Sequence, residues 1–229
     1  MTAPPSTNPL QEAWKLGIGG ARSNLLPGAV LWILGITLVI AYYRNEAISD
    51  TFNRIGLWKD AFSPWFAILS TAVFGSLIPW LVQALLPSKN ARQSFRQVPW
   101  LFLFWGIHGW QVDWLYRLQS LLFGVGTDAA TIISKTLVDQ FLWSPLLAMP
   151  QVLLSYLFIE NELSPSRFKE ALIRKGYLAR AIPLMITNWV VWIPSVALIY
   201  LFPLPLQLPL QNIILALWCL IVSFFAKNA

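Results

Sequence analysis

The sequence predicts an all-α integral membrane protein, a bundle of about six transmembrane helices with short interfacial helices and five spans as the alternative. Three observations carry that prediction. Hydrophobic residues fill 57% of the 229 positions, charged residues only 11%, and mean hydropathy is +0.60, whereas soluble domains carry about 25% charged residues. The apolar residues fall in separate runs, each near the roughly 20 residues that cross a bilayer core. The basic residues between those runs crowd to one side when the runs are threaded alternately. A single cysteine, Cys219, excludes an intrachain disulfide and a multi-cysteine metal site, and a single histidine, His108, excludes paired-histidine zinc motifs. The net charge of +6 is read through its distribution over loops and not as a nucleic-acid footprint.

Two regions are expected: an N-terminal extension over 1–63 with one span at 25–43, and a helical membrane domain over 64–229. Asn8 and Pro9 mark a helix start, with Asn8 as cap and Pro9 in the first turn. Leu10, Ala13 and Trp14 follow at helical spacing and predict a short surface helix, ended by Gly17, Gly19 and Gly20. Leu25–Tyr43 is free of charge, spans roughly 28 Å as a helix, and ends on the interfacial anchor Tyr42-Tyr43-Arg44. Residues 44–63 mix charges with Phe52, Ile55, Trp58 and Phe62 at three- and four-residue spacing, which predicts a second interfacial helix.

The second span covers 64–86, with Gly75 and Ser76 allowing close helix approach and Pro79 a bend. Lys89, Arg92 and Arg96 occupy the following loop. The third span, 99–123, carries polar groups on two faces: His108, Gln111 and Gln119 on one, the i,i+4 pair Asp113 and Arg117 nearly opposite. A satisfied interhelical bond is the favoured role for His108 over proton handling, and a structural ion pair for Asp113–Arg117.

Gly124–Asp128 is a turn whose Thr127 or Asp128 can cap the fourth helix. That helix opens its apolar run with Lys135, Asp139 and Gln140; Lys135 and Asp139 are four apart and share a face. Such groups either snorkel at an interface or form an inward polar cluster. Pro145 and Pro150 each remove a backbone hydrogen bond and bend the helix. Residues 160–180 form the most basic loop, in which Ser164-Pro165 starts and Gly176 stops a short surface helix. A fifth span over 181–202 contains Asn188, Trp189 and Trp192, and a sixth over 209–225 follows Pro203 and Pro205. Threaded this way, eleven basic residues fall on one side and three on the other, which places both termini on the cytoplasmic or matrix side.

Three segments carry a family resemblance. Lys135-x-x-x-Asp139-Gln140-x-x-x-x-Pro145 and Asn188-Trp189-x-x-Trp192-x-Pro194, the latter followed by Phe202, Pro205 and Trp218, are similar to segments of the Mpv-seventeen/peroxisomal-membrane-protein-twenty-two family. Gly109…Trp114-x-Tyr116 matches a third family segment more weakly. Departures are Trp110 for a Pro, Asp113 near the place of a His, Ile193 between the usual Trp-Pro pair, Ala197 for a Gln, and Gln207 for an Arg. The resemblance covers residues 64 onward and implies a divergent, bacterial member of that family. It implies a small helical protein of bacterial inner, mitochondrial inner or peroxisomal membranes, with channel-like solute permeation.

The leading functional expectation is a small channel or transporter-like pore. Its pathway residues are His108, Asp113, Arg117, Lys135, Asp139, Gln140, Asn188 and Trp189. The alternative is a non-conducting scaffold or partner-binding protein in which these groups only tie helices together. No nucleophile, base and orienter stand in a pattern that would make an enzyme, and no cofactor or metal is expected. The expected partners are the lipid bilayer and a small solute, with no nucleic acid and with a homo-oligomer left open. Helix lengths place Asp139 and Gln140 near one membrane face and Asn188 near the other, so these clusters are expected at opposite mouths of the passage.

Overall fold

The computed structural model describes residues 8–85 and 94–228, and among them the chain is helical with no strand. Four helices are long and apolar enough to cross a membrane: Leu10–Arg44, Trp65–Val82, Ala129–Glu160 and Tyr177–Ile199. Residues 86–93, with Lys89 and Arg92, lie outside the described residues.

The first helix, α1 (Pro9–Arg44), runs unbroken through Gly17, Gly19 and Gly20. The sequence expectation of a short surface helix followed by a separate span is therefore corrected. Asn8 caps it as expected, accepting from the Leu10 amide. The glycines are contact points and not stops. A Cβ on Gly17 would stand 2.6 Å from Ile186 Cδ1, and one on Gly20 would stand 2.6 Å from Thr187 Oγ1. Both neighbours belong to α9 (Tyr177–Ile199), against which α1 makes the most extensive helix packing among the described residues. Small residues let two backbones approach, and Trp32 Nε1 locks the pair by donating to Val191 O at 3.2 Å.

Asn45 then caps α2 (Glu46–Phe62), accepting from the Ile48 amide. Gly56 of α2 sits against Pro205 and Leu206, so α2 closes one end of α10 (Leu204–Asn228). Helix α3 (Trp65–Ala72) continues through a π turn, Val73–Leu77, into α4 (Ile78–Leu85). Pro79 follows that turn, and the Ile78 amide reaches back to Val73 O, a widened ladder of the kind that accommodates a missing donor. A Cβ on Gly75 would overlap the Trp105 ring, and one on Gly109 would overlap Thr71 and the Ala67 carbonyl. The close approach expected at Gly75 is thus made by α5 (Val98–Phe123).

Asp128 caps α6 (Ala129–Val138), accepting from the Thr131 amide and hydroxyl, and those bonds hold its carboxyl below the ordinary carboxylate range. The helix continues through a ten-residue π segment, Asp139–Ala148, into α7 (Met149–Glu160). Helix α8 (Pro165–Lys175) starts after Ser164 and stops at Gly176, whose φ of 76° favours glycine. A buried core of Leu31, Tyr42, Val191, Ile199, Phe202 and Leu206 joins α1, α9 and α10. Outward faces stay apolar: Ile33, Ile40, Leu103, Trp110, Leu142 and Leu146 are all exposed, a surface that suits hydrocarbon better than water.

Candidate functional site: a polar-floored cavity

The π segment decides the geometry of the site. In a ladder of i→i+5 bonds the donor to Gln140 O is residue 145, which is proline and has no N–H. Trp189 supplies the missing donor, its Nε1 standing 2.8 Å from Gln140 O. Asn188 Nδ2 reaches Gln140 Oε1 at 3.4 Å, and Gln140 Nε2 donates to Asp139 Oδ1 at 2.8 Å. Tyr200 OH donates to Asp139 Oδ2 at 2.9 Å. The Tyr200 ring meets Tyr116 edge-on at 5.5 Å, and Tyr116 OH donates to Gln211 Oε1. Lys135 is buried one turn before Asp139, with Nζ 5.6 Å from the centre of the Tyr200 ring.

The expected separation of Asp139 and Gln140 from Asn188 is therefore corrected: Asn188 bonds Gln140, which in turn bonds Asp139. That expectation counted depth from Lys135 and from residue 181. The helices begin at Ala129 and Tyr177, which moves Gln140 about 9 Å and Asn188 about 6 Å further into the bundle. Gln140 is the twelfth residue of its helical run and Asn188 the twelfth of α9. Two antiparallel helices thus bring their polar groups together, about three turns inside each.

Above this layer opens a cavity of about 780 Å³. Leu16 of α1, Glu160 at the end of α7 and Arg180 in the first turn of α9 line it, and Arg180 Nη2 donates to Ala171 O at 3.2 Å. Trp105, Trp143 and Trp192 line its walls, and Tyr116, Asp139, Gln140 and Gln211 form its floor. His108 lines it too, buried and stacked on Phe104, with no hydrogen-bond partner for Nδ1 among the described residues.

Asp113 and Arg117 lie elsewhere. Asp113 Oδ2 accepts from Arg117 Nε at 2.9 Å, the expected i,i+4 pair, but its other oxygen meets Lys59 Nζ at 2.6 Å. Lys59 is 1% exposed and went unnoticed in the sequence, because it sits in an interfacial stretch where a lysine reads as solvated. Asp60 faces both cations, at 3.6 and 3.7 Å, and Ser63 Oγ accepts from Arg117 at 3.1 Å. This knot fastens α2 to α5 and does not line the cavity.

Of the eight expected pathway residues, the structure gathers Lys135, Asp139, Gln140, Asn188 and Trp189 in one layer, sets His108 in the cavity wall, and puts Asp113 and Arg117 in the separate ionic knot. Sequence reasoning missed Tyr116, Tyr200, Gln211 and Arg180. Gln211, a polar residue opening an apolar run, carried a signal, and Tyr116 stood in the weakest of the resembling segments, whereas a tyrosine near a span end such as Tyr200 passes for an interface anchor. Among the described residues no cluster of histidine, cysteine and acidic groups is arranged to hold a metal. No family model, curated protein or solved structure matches the chain.

Proposed function

We propose that the chain is a multi-pass membrane protein of six spans, with both termini on the cytoplasmic side, that passes a small solute through the centre of its bundle. The observation that supports this reading is the cavity of about 780 Å³, a volume suited to a small-molecule site. It descends from exposed helix ends to a buried carboxylate. Polar side chains at such depth are costly unless they serve a path or a partner. In this reading the cavity is one half of the path, and the Asp139–Tyr200 hydrogen bond closes its inner end. The family resemblance and a bacterial inner-membrane location belong to the same proposal.

Purified chain in proteoliposomes should pass small polar solutes faster than empty vesicles. Asp139→Asn should change the charge selectivity of that flux. A wild-type protein that passes nothing across a range of solutes and voltages ends this reading. The second reading, a non-conducting scaffold, is favoured by the direct helix ties, such as Asn212 bonding Thr71 and Ser70, each at 3.0 Å.

A further inference from the structure

The bundle buries two carboxylates at low exposure, and they are treated differently. Asp113 has two cations within ion-pairing distance, Lys59 and Arg117. Asp139, 6% exposed, has none among the described residues. The nearby Lys135 does not supply one, because its ammonium lies against the Tyr200 ring. An ionised carboxylate in low dielectric is costly without a counter-charge. Asp139 accepts one hydrogen bond on each oxygen, from Gln140 and Tyr200, which leaves further lone pairs free.

The surroundings say what shape the missing partner has. Asp139 forms part of the floor of the cavity, whose walls carry Trp105, Trp143 and Trp192. Aromatic faces attract cations through their quadrupole, and aromatic-lined cavities recognise organic ammonium groups. Trp105 Nε1 and His108 Nδ1, both on the wall, have no hydrogen-bond partner among the described residues. They can meet a polar substituent on the same ligand. Among the described residues no histidine, cysteine and acidic group is clustered to hold a metal ion, and the volume suits an organic molecule.

We propose that the cavity is a binding site for a small organic cation, a protonated amine with an apolar or aromatic body. Its ammonium group sits on Asp139 and its body lies against the tryptophans. This names the solute class of the passage proposed above and rests on that reading for its purpose, while its test does not need flux.

The test is calorimetric titration of the full chain in lipid nanodiscs with three probes of similar shape: 2-phenylethylammonium, 2-phenylethanol and 3-phenylpropanoate. The ammonium should bind at least about tenfold more tightly than the alcohol, and the carboxylate most weakly. Asp139→Asn should remove the preference, Asp139→Glu should retain most of it, and Glu170→Gln, exposed on α8 and outside the cavity lining, should change it less than about twofold. An alcohol that binds as tightly as the ammonium overturns the proposal. So does tighter binding of the carboxylate, a preference unchanged in Asp139→Asn, or no binding of any probe. If Asp139→Asn does not fold, the charge series on the unaltered chain still decides. Flux measured separately keeps the two readings apart: binding without flux ends the passage and keeps the site, whereas flux without cation preference does the reverse.

Discussion

The indole of Trp189 is hydrogen-bonded to the backbone carbonyl of Gln140 at 2.8 Å, and Pro145 is the reason that carbonyl needs it. The proline removes the donor that a widened helical ladder would have offered. A side chain from α9 fills the place, so a backbone defect in one helix becomes a specific tie to another. Two sequence segments, one ending in Pro145 and one containing Asn188-Trp189, are thereby joined.

A double-mutant cycle measures that tie. Trp189→Phe keeps the ring but strands the carbonyl, and should cost about 1–3 kcal/mol. In a Pro145→Ala background the residue-145 amide can serve Gln140 O, so the same change should cost clearly less. Denaturant unfolding in detergent gives both values, and equal costs in the two backgrounds would remove Pro145 from the explanation.

Lys59 sets a second prediction. Asp113→Ala leaves Lys59, 1% exposed, with only the half-exposed Asp60 at 3.6 Å, and should destabilise by about 2–4 kcal/mol. Adding Lys59→Met should recover a large part of the loss. Arg117, whose side chain is 43% exposed, should give back much less when removed in the same background, because water already screens it. Thermal melts of the three variants rank the partners.

The glycines separate contact from conformation. Gly19 has open space around its Cα, whereas Gly109 abuts Thr71 and the Ala67 carbonyl. Gly19→Ala should stabilise by up to about 1 kcal/mol through helix propensity. Gly109→Ala should destabilise by about 1–3 kcal/mol through overpacking. Melting midpoints check both. A loss on Gly19→Ala would argue that α1 breaks there.

For the six-span arrangement, single cysteines placed at positions 5 and 228, with Cys219 replaced, should label from the same face of sealed vesicles. Labelling from opposite faces would favour five spans.

The helices were legible in the sequence because caps and stops are local chemistry. Asn8 starts a helix and Gly176 stops one where each was expected, and Asp128, one of the two caps offered, starts another. The α1 glycines misled because the same residue that stops a helix by propensity permits one where a partner backbone lies close. What permits α1 to continue is Ile186 and Thr187, far along the chain. The site was half legible. Asp139, Gln140 and Asn188 announced themselves as polar residues in apolar runs, but their meeting depended on where two helices begin. Tyr200 and Lys59 gave no signal, since a tyrosine near a span end and a lysine in an interfacial segment are ordinary until their neighbours are known.

The pairing of α1 with α9 has a consequence for biogenesis. The bond from Trp32 to Val191 links residues 159 positions apart. At roughly 5–20 residues per second of synthesis, α1 enters the bilayer on the order of ten seconds before its main partner leaves the ribosome. During that interval its glycine-bearing face, shaped for Ile186 and Thr187, has lipid against it in place of protein. The first helix is held by its apolar length alone until α9 arrives, so its main packing is completed late and not in order of synthesis.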